Sequence, residues 1–238
     1  MLPGAVTDVF ASPPRPRVAV SGRAEWFPVH RIYCVGQNYA AHAREMGTDP
    51  QRELPCFFTK PADAAVSEGG RIPYPPATRD LHHEVELVAA LGRSLQASRP
   101  RQALDAVFGY AVGLDLTRRD LQAEARRRGR PWDTAKAFDR SAPLSAIHSV
   151  SAVGHIARGR IWLTVDGTER QSADVGDMIW SVAEIAAELS QLFELCPGDL
   201  IFTGTPAGVG PVGPGDEIEA GVDGLDVLRV TIDTPARS

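Results

Sequence analysis

Apolar residues in this chain come mostly in short runs and two-residue alternations, which is strand spacing. A helical period shows in only three places. Runs at 31–35 (RIYCV) and 55–59 (PCFFT), bounded by Pro or Gly, predict strands. So do 83–91, where acids at 84 and 86 interrupt an apolar run, 109–116 (GYAVGLDL), 199–203 and 227–232. Alternation over 160–165 places Ile161, Leu163 and Val165 on one face, and Asp166-Gly167 then predicts a tight hairpin. Helices are predicted at 39–46, ended by Gly47, and at 118–128, capped by Thr117 and stopped by Gly129. The clearest helix is 182–193, where Ser181 and Glu184 form a capping box and Val182, Ile185, Ala186, Leu189 and Phe193 form a stripe. Strands dominate and do not alternate regularly with helices. The predicted class is therefore α+β with a large mixed β-core, not a doubly wound sheet.

Composition narrows the function. The chain has 238 residues, with 43% apolar and 23% charged, which excludes disorder. A net charge of −5 argues against nucleic acid and acidic membrane surfaces as partners. No apolar stretch approaches the length of a membrane span, and the N-terminal residues lack a signal-peptide pattern, so a cytoplasmic location is expected. Cys34, Cys56 and Cys196 form no CxxC pair and sit in apolar runs, which predicts buried, inert thiols in a reducing compartment. Residues 1–28 are expected to form an N-terminal arm and lead-in, with SPPRPR (12–17) extended, and 29–238 a single catalytic domain. No GxGxxG or P-loop occurs.

Candidate chemistry lies in the acids. Glu84 and Glu86, two apart on a strand, share one face amid Val85, Leu87 and Val88. Asp115 is a lone acid in another apolar strand. Burying such a set requires protonation, a basic partner or a cation, and all-oxygen ligands suit Mg²⁺, Mn²⁺ or Ca²⁺ over Zn²⁺. The other reading is a solvated edge strand. His42 and Glu45 lie three apart, one helix face, where the carboxylate can orient the imidazole as a base; an ordinary surface pair has the same spacing. Lys60 (FFTKP) and Lys136 (AKAFD) either reach a site or snorkel. Arg126–Arg128 reads as a solvated face at a helix end. The 203–213 stretch, TGTPAGVGPVG, has too many Gly and Pro for a strand; it is either a plain turn or a loop whose N–H groups hold a carboxylate.

Six segments, CVGQNYAAHAREMG, FFTKPADA, HHEVELVAALG, GYAVGLDLTRRDLQ, PWDTAKAFDRSAP and DLIFTGTPAGVGPV, occur in this order. Together they resemble the fumarylacetoacetate hydrolase family over about 31–232, nearest its bacterial fumarylpyruvate hydrolase and acylpyruvase branch. PWDTAKAFD and DMIWSV point to fumarylpyruvate hydrolases within that branch. The resemblance implies a mixed β-sandwich roll with peripheral helices, assembled as a homodimer. It implies a divalent metal on Glu84, Glu86 and Asp115, and His42 with Glu45 as a water-activating dyad. Lys136 would be catalytic, and Gln37, Asn38, Lys60, Arg119, Gln122 and Thr205 would contact substrate. Relatives of this branch often carry Arg where this chain has Gln37, which is uncharged. The implied activity is hydrolytic C–C cleavage of a 2,4-dioxo acid, fumarylpyruvate to fumarate and pyruvate in gentisate degradation. Alternatives are oxaloacetate decarboxylation, acylpyruvate hydrolysis, hydratase or isomerase chemistry, and a metal-stabilised scaffold without catalysis.

Overall fold

The turn at Asp166-Gly167 is present in the computed structural model, which describes residues 9–11, 13–45 and 53–234. Arg160–Val165 pairs antiparallel with Thr168–Asp174, and Asp166 and Gly167 both take positive φ (50° and 73°), as a two-residue hairpin turn requires. This ribbon borders a five-stranded sheet continued by Glu217–Val222, Leu228–Asp233 and Gly70–Pro73. An eight-stranded sheet runs Cys56–Lys60, Ile32–Gly36, Leu200–Phe202, Val85–Leu91, Val107–Leu114, Ala142–Leu144 and Ala65–Ser67, with His148–Ser149 also on Val107–Leu114. It is mixed: Leu200–Phe202 runs parallel to Ile32–Gly36, and Ala142–Leu144 parallel to Ala65–Ser67.

Both faces of the large sheet are covered. Val85, Leu87, Ala89 and Leu91 pack into a core shared with Ile161, Leu163, Ile218 and Ala220 of the five-stranded sheet. Val88 and Ala90 face the other way, against Ala111, Phe202, Val18 and Phe27. A strand buried on both faces has no reason to alternate, so 85–91 reads as one apolar run.

The large sheet is strongly curled. Cys56–Lys60 lies four strands from Val107–Leu114, about 19 Å if the sheet were flat. Yet Lys60 Nζ sits 2.8 Å from Asp115, just beyond the end of that second strand. The architecture is the expected α+β roll, with the helices Ala40–Glu45, Pro100–Asp105, Arg119–Arg127, Asp133–Lys136, Val150–Val153 and Val182–Leu192 around mixed sheets. The capping box of Ser181 and Glu184 forms as expected.

Several expectations need correction. Arg118, not Thr117, is the N-cap of Arg119–Arg127. Thr117 belongs to a two-residue strand, and its hydroxyl donates to Asp115 O and accepts from Lys136 Nζ instead. Within the glycine-rich stretch, Gly210–Val212 is a strand, paired with Leu81–His83. The strand expected over 83–91 divides, with Leu81–His83 ending before Glu84 and Val85–Leu91 following it. Only Cys34 is buried; Cys196 is partly exposed and Cys56 exposed. From Arg17 the lead-in is a hairpin, Arg17–Ala19 with Trp26–Pro28, whose Val18 and Phe27 enter the core. Position 46 of the first predicted helix and residues 1–8 and 12 of the arm lie outside the described residues.

Candidate active site

Register brings the acids together. Val85 pairs with Leu114 and Glu86 with Gly113, and the ladder continues through Asp115 N donating to Glu84 O. Even positions of 84–90 and odd positions of 111–115 therefore share one face of the sheet. Glu84, Glu86 and Asp115 are all buried, each offering a carboxylate oxygen within 4.8 Å of the others.

Their compensation is uneven. Lys136 Nζ lies 2.8 Å from Glu84, 2.6 Å from Asp115 and 2.8 Å from the Thr117 hydroxyl, so all three of its protons are committed. Arg119 pairs with the second oxygen of Glu84 and also holds Gln122. Burial alone would raise the Glu84 pKa, but Lys136 and Arg119 hold it well below the usual carboxylate range. Burial likewise disfavours the Lys136 ammonium, and Asp115 and Glu84 more than reverse that, raising its pKa. Lys60 is the cation nearest the other Asp115 oxygen, at 2.8 Å but off the angle of a hydrogen bond, so that oxygen has charge beside it and no donor. Glu86 accepts from Gly204 N–H at 2.7 Å and makes no ion pair among the described residues. Burial, then repulsion from Asp115 and Glu84, pushes its pKa well up. Three buried carboxylates with one uncompensated oxygen and one unpaired acid fit a hard divalent cation.

The dyad approaches from another element. Ala40–Glu45 carries His42, 5% exposed, and Glu45, whose Oε2 lies 3.2 Å from His42 Nδ1. Glu45 also accepts from Gly208 N–H at 3.2 Å. Gly204 and Gly208 belong to one loop, so that loop grips a carboxylate from each half of the site. The carboxylates it holds are the protein's own. Gly208 takes φ +95°, and a Cβ there would meet Arg170 O at 2.0 Å.

A cavity opens over Glu84 and Glu86. Gln37, His42, Glu84, Glu86, Arg119, Gln122, Lys136 and Thr205 line it, with Val35, Phe58 and Trp132 as an apolar wall. Two expected contacts are not at this cavity. Asn38 is fully buried: its amide donates to Trp180 O and Thr203 O and accepts from Trp180 N, so it anchors the start of the dyad helix. Lys60 is held below the acids by Asp115, Leu116 O and Lys136 O. Lys136 does reach the cavity, but with its protons committed to the acid set.

Two residues escaped the sequence reading. Arg126, exposed as expected of a solvated face, also lines the cavity. Gln171, fully buried in a strand of otherwise exposed polar residues, accepts from Val85 N and shares its oxygen with His83 Nδ1, while its amide donates to Thr205 and Pro206 O. Nothing in TERQSAD distinguishes Gln171; only helical phase from Gln122 pointed to Arg126.

Known proteins resemble this chain along most of its length. The family model for the fumarylacetoacetate (FAA) hydrolase C-terminal region matches residues 31–233. A crystal structure of fumarylpyruvate hydrolase from Pseudomonas aeruginosa, in complex with Mn²⁺ and pyruvate, superposes with a TM-score of 0.94 at 50% identity, covering 96% of this chain and 100% of that one. Fumarylpyruvate hydrolase from Ralstonia is 44% identical over 184 residues, 77% of this chain and 95% of its own length. The mitochondrial oxaloacetate tautomerase of Homo sapiens is 43% identical over 204 residues, 86% of this chain and 92% of its own length. A curled mixed sheet carrying three acids, matched along nearly its whole length at these identities, leaves one assignment: the chain belongs to the fumarylacetoacetate hydrolase family.

Proposed function

We propose that this protein is a divalent-metal-dependent hydrolase that cleaves the C3–C4 bond of a 2,4-dioxo acid, converting fumarylpyruvate and water to fumarate and pyruvate. The observation that carries this reading is one cavity lined by Glu84 and Glu86 of the acid set and by His42, with Asp115 beside the two glutamates and Glu45 bonded to the imidazole. Charge supports it. Three carboxylates face Lys60, Lys136 and Arg119, a neutral set. A divalent cation makes it +2, and a dianionic substrate restores balance.

A bound Mg²⁺ or Mn²⁺ would supply Lewis acidity toward the C1 carboxylate and C2 oxygen. Glu45 orients the His42 imidazole, and His42 takes a proton from water. The hydroxide adds to the C4 carbonyl. Arg119 and Gln122, which face the cavity, stabilise the oxyanion, each such donor being worth about 2.7–4 kcal/mol. The C3–C4 bond breaks, C4 leaves as a carboxylic acid that gives its proton to solvent to become fumarate, and the proton on His42 passes to C3 of pyruvate. Lys136 and Lys60 hold the acids, and Asn38 holds the helix that bears His42. Such an activity would serve ring degradation through gentisate.

A second reading has a specific support. Curated relatives at 43% and 40% identity, from Homo sapiens and Escherichia coli, are oxaloacetate tautomerases. That chemistry moves a proton at C3 and needs no attacking water. Steady-state turnover of fumarylpyruvate, oxaloacetate and acetylpyruvate with Mg²⁺ or Mn²⁺ separates the two. Fumarylpyruvate leading by several decades in kcat/KM supports the hydrolase, while oxaloacetate leading overturns it. Chelation by EDTA should abolish turnover in either case.

A further inference from the structure

We infer that Arg126 is a specificity-determining residue that binds the distal carboxylate of a dianionic substrate. This rests on the reading that the substrate is a 2,4-dioxo acid. Arg119, Gln122 and Arg126 stand at positions i, i+3 and i+7 of the helix Arg119–Arg127, one face, and all three line the cavity. Their states differ. Arg119 is committed to Glu84 and Gln122. The Arg126 side chain makes no hydrogen bond or ion pair among the described residues.

The arginine run therefore divides in two. Arg127 and Arg128 both pair with Glu124, whereas Arg126 is exposed, keeps an unpaired guanidinium and lines the cavity. It stands about 10 Å of helix axis beyond Arg119. It thus meets the far end of a substrate whose near end sits over the acids. The remaining polar wall at Gln37 carries no charge, so Arg126 is the cation available there for a second carboxylate. A guanidinium fork matches a carboxylate in charge and geometry, which a methyl group cannot replace.

The test uses the full chain loaded with Mn²⁺. Arg126→Gln should lower the ratio of kcat/KM for fumarylpyruvate over acetylpyruvate by about tenfold or more, through KM. Calorimetry should show fumarate binding weakened by a similar factor, relative to crotonate, which has a methyl in place of one carboxylate. Arg126→Lys should recover part of the loss, and Arg127→Gln should keep the parental ratio. A ratio and fumarate affinity for Arg126→Gln within about twofold of the parent would overturn the inference. So would an equal loss in Arg127→Gln, which would mean bulk charge alone. If the parent turns over neither substrate, the proposed activity fails, and the fumarate and crotonate affinities still decide the role of Arg126.

Discussion

Glu86 has the least compensation among the three acids. Its charged neighbours on the same face are Glu84 and Asp115, and its hydrogen-bond donor among the described residues is the Gly204 N–H. Glu84 has Lys136 and Arg119, and Asp115 has Lys136 and Lys60. The acids were legible as a pair sharing one face of an apolar run, and burial of both decides against the solvated edge strand that has the same pattern. His42 and Glu45 were legible from helical spacing. Their union in one site was legible only through the family resemblance, since more than 35 residues separate them. For the dyad, His42→Ala should cut fumarylpyruvate hydrolysis by about 10²–10⁴-fold. Conversion of oxaloacetate, followed in the same preparation, should fall much less. An equal fall in both would remove the water-activating role from His42.

At the scale of elements, two connections set the site. The 203–213 loop holds Glu86 through Gly204 and Glu45 through Gly208. Gly208→Ala places a Cβ against Arg170 O in a left-handed conformation. It should cost about 1–3 kcal/mol in urea unfolding and lower kcat more than Mn²⁺ affinity, since Glu45 loses its donor while Glu86 keeps its own. The second connection is Asp120, in the first turn of the Arg119–Arg127 helix, which accepts from Thr78 Oγ1, Arg79 N and Leu121 N. Partial burial raises its pKa, but these bonds together lower it by more, for a net depression. A depressed carboxylate stabilises the fold above its unfolded pKa and loses that contribution as pH falls through the folded value. Asp120→Asn should therefore be less stable at pH 7 by roughly 1 kcal/mol or less, given its exposure. In melts recorded across acidic pH the gap should close below about 3.8. A constant gap would assign the effect to packing.

Over the whole molecule, the curl of the large sheet turns separate signals into a site. It carries Lys60 across four strands to Asp115, and it sets the Arg119 helix over the cavity. Lys60→Met should leave Asp115 buried with one cation fewer. The expected loss is about 3–5 kcal/mol by urea unfolding, with turnover falling as the acid set shifts. A loss under 1 kcal/mol would show that Lys136 alone compensates Asp115.

By itself the sequence determined what depends on near neighbours. Strand and helix periods, the Asp166-Gly167 turn, the Ser181–Glu184 capping box and the pairing of His42 with Glu45 all arise within a few residues of one another. Tertiary structure decided what depends on closure. It buried Asn38, Lys60 and Gln171 as anchors and drew Thr117 from a cap to the acid set. These outcomes come from contacts between distant strands, where a side chain's role follows from the partner that the curled sheet brings to it, and no local pattern records that partner.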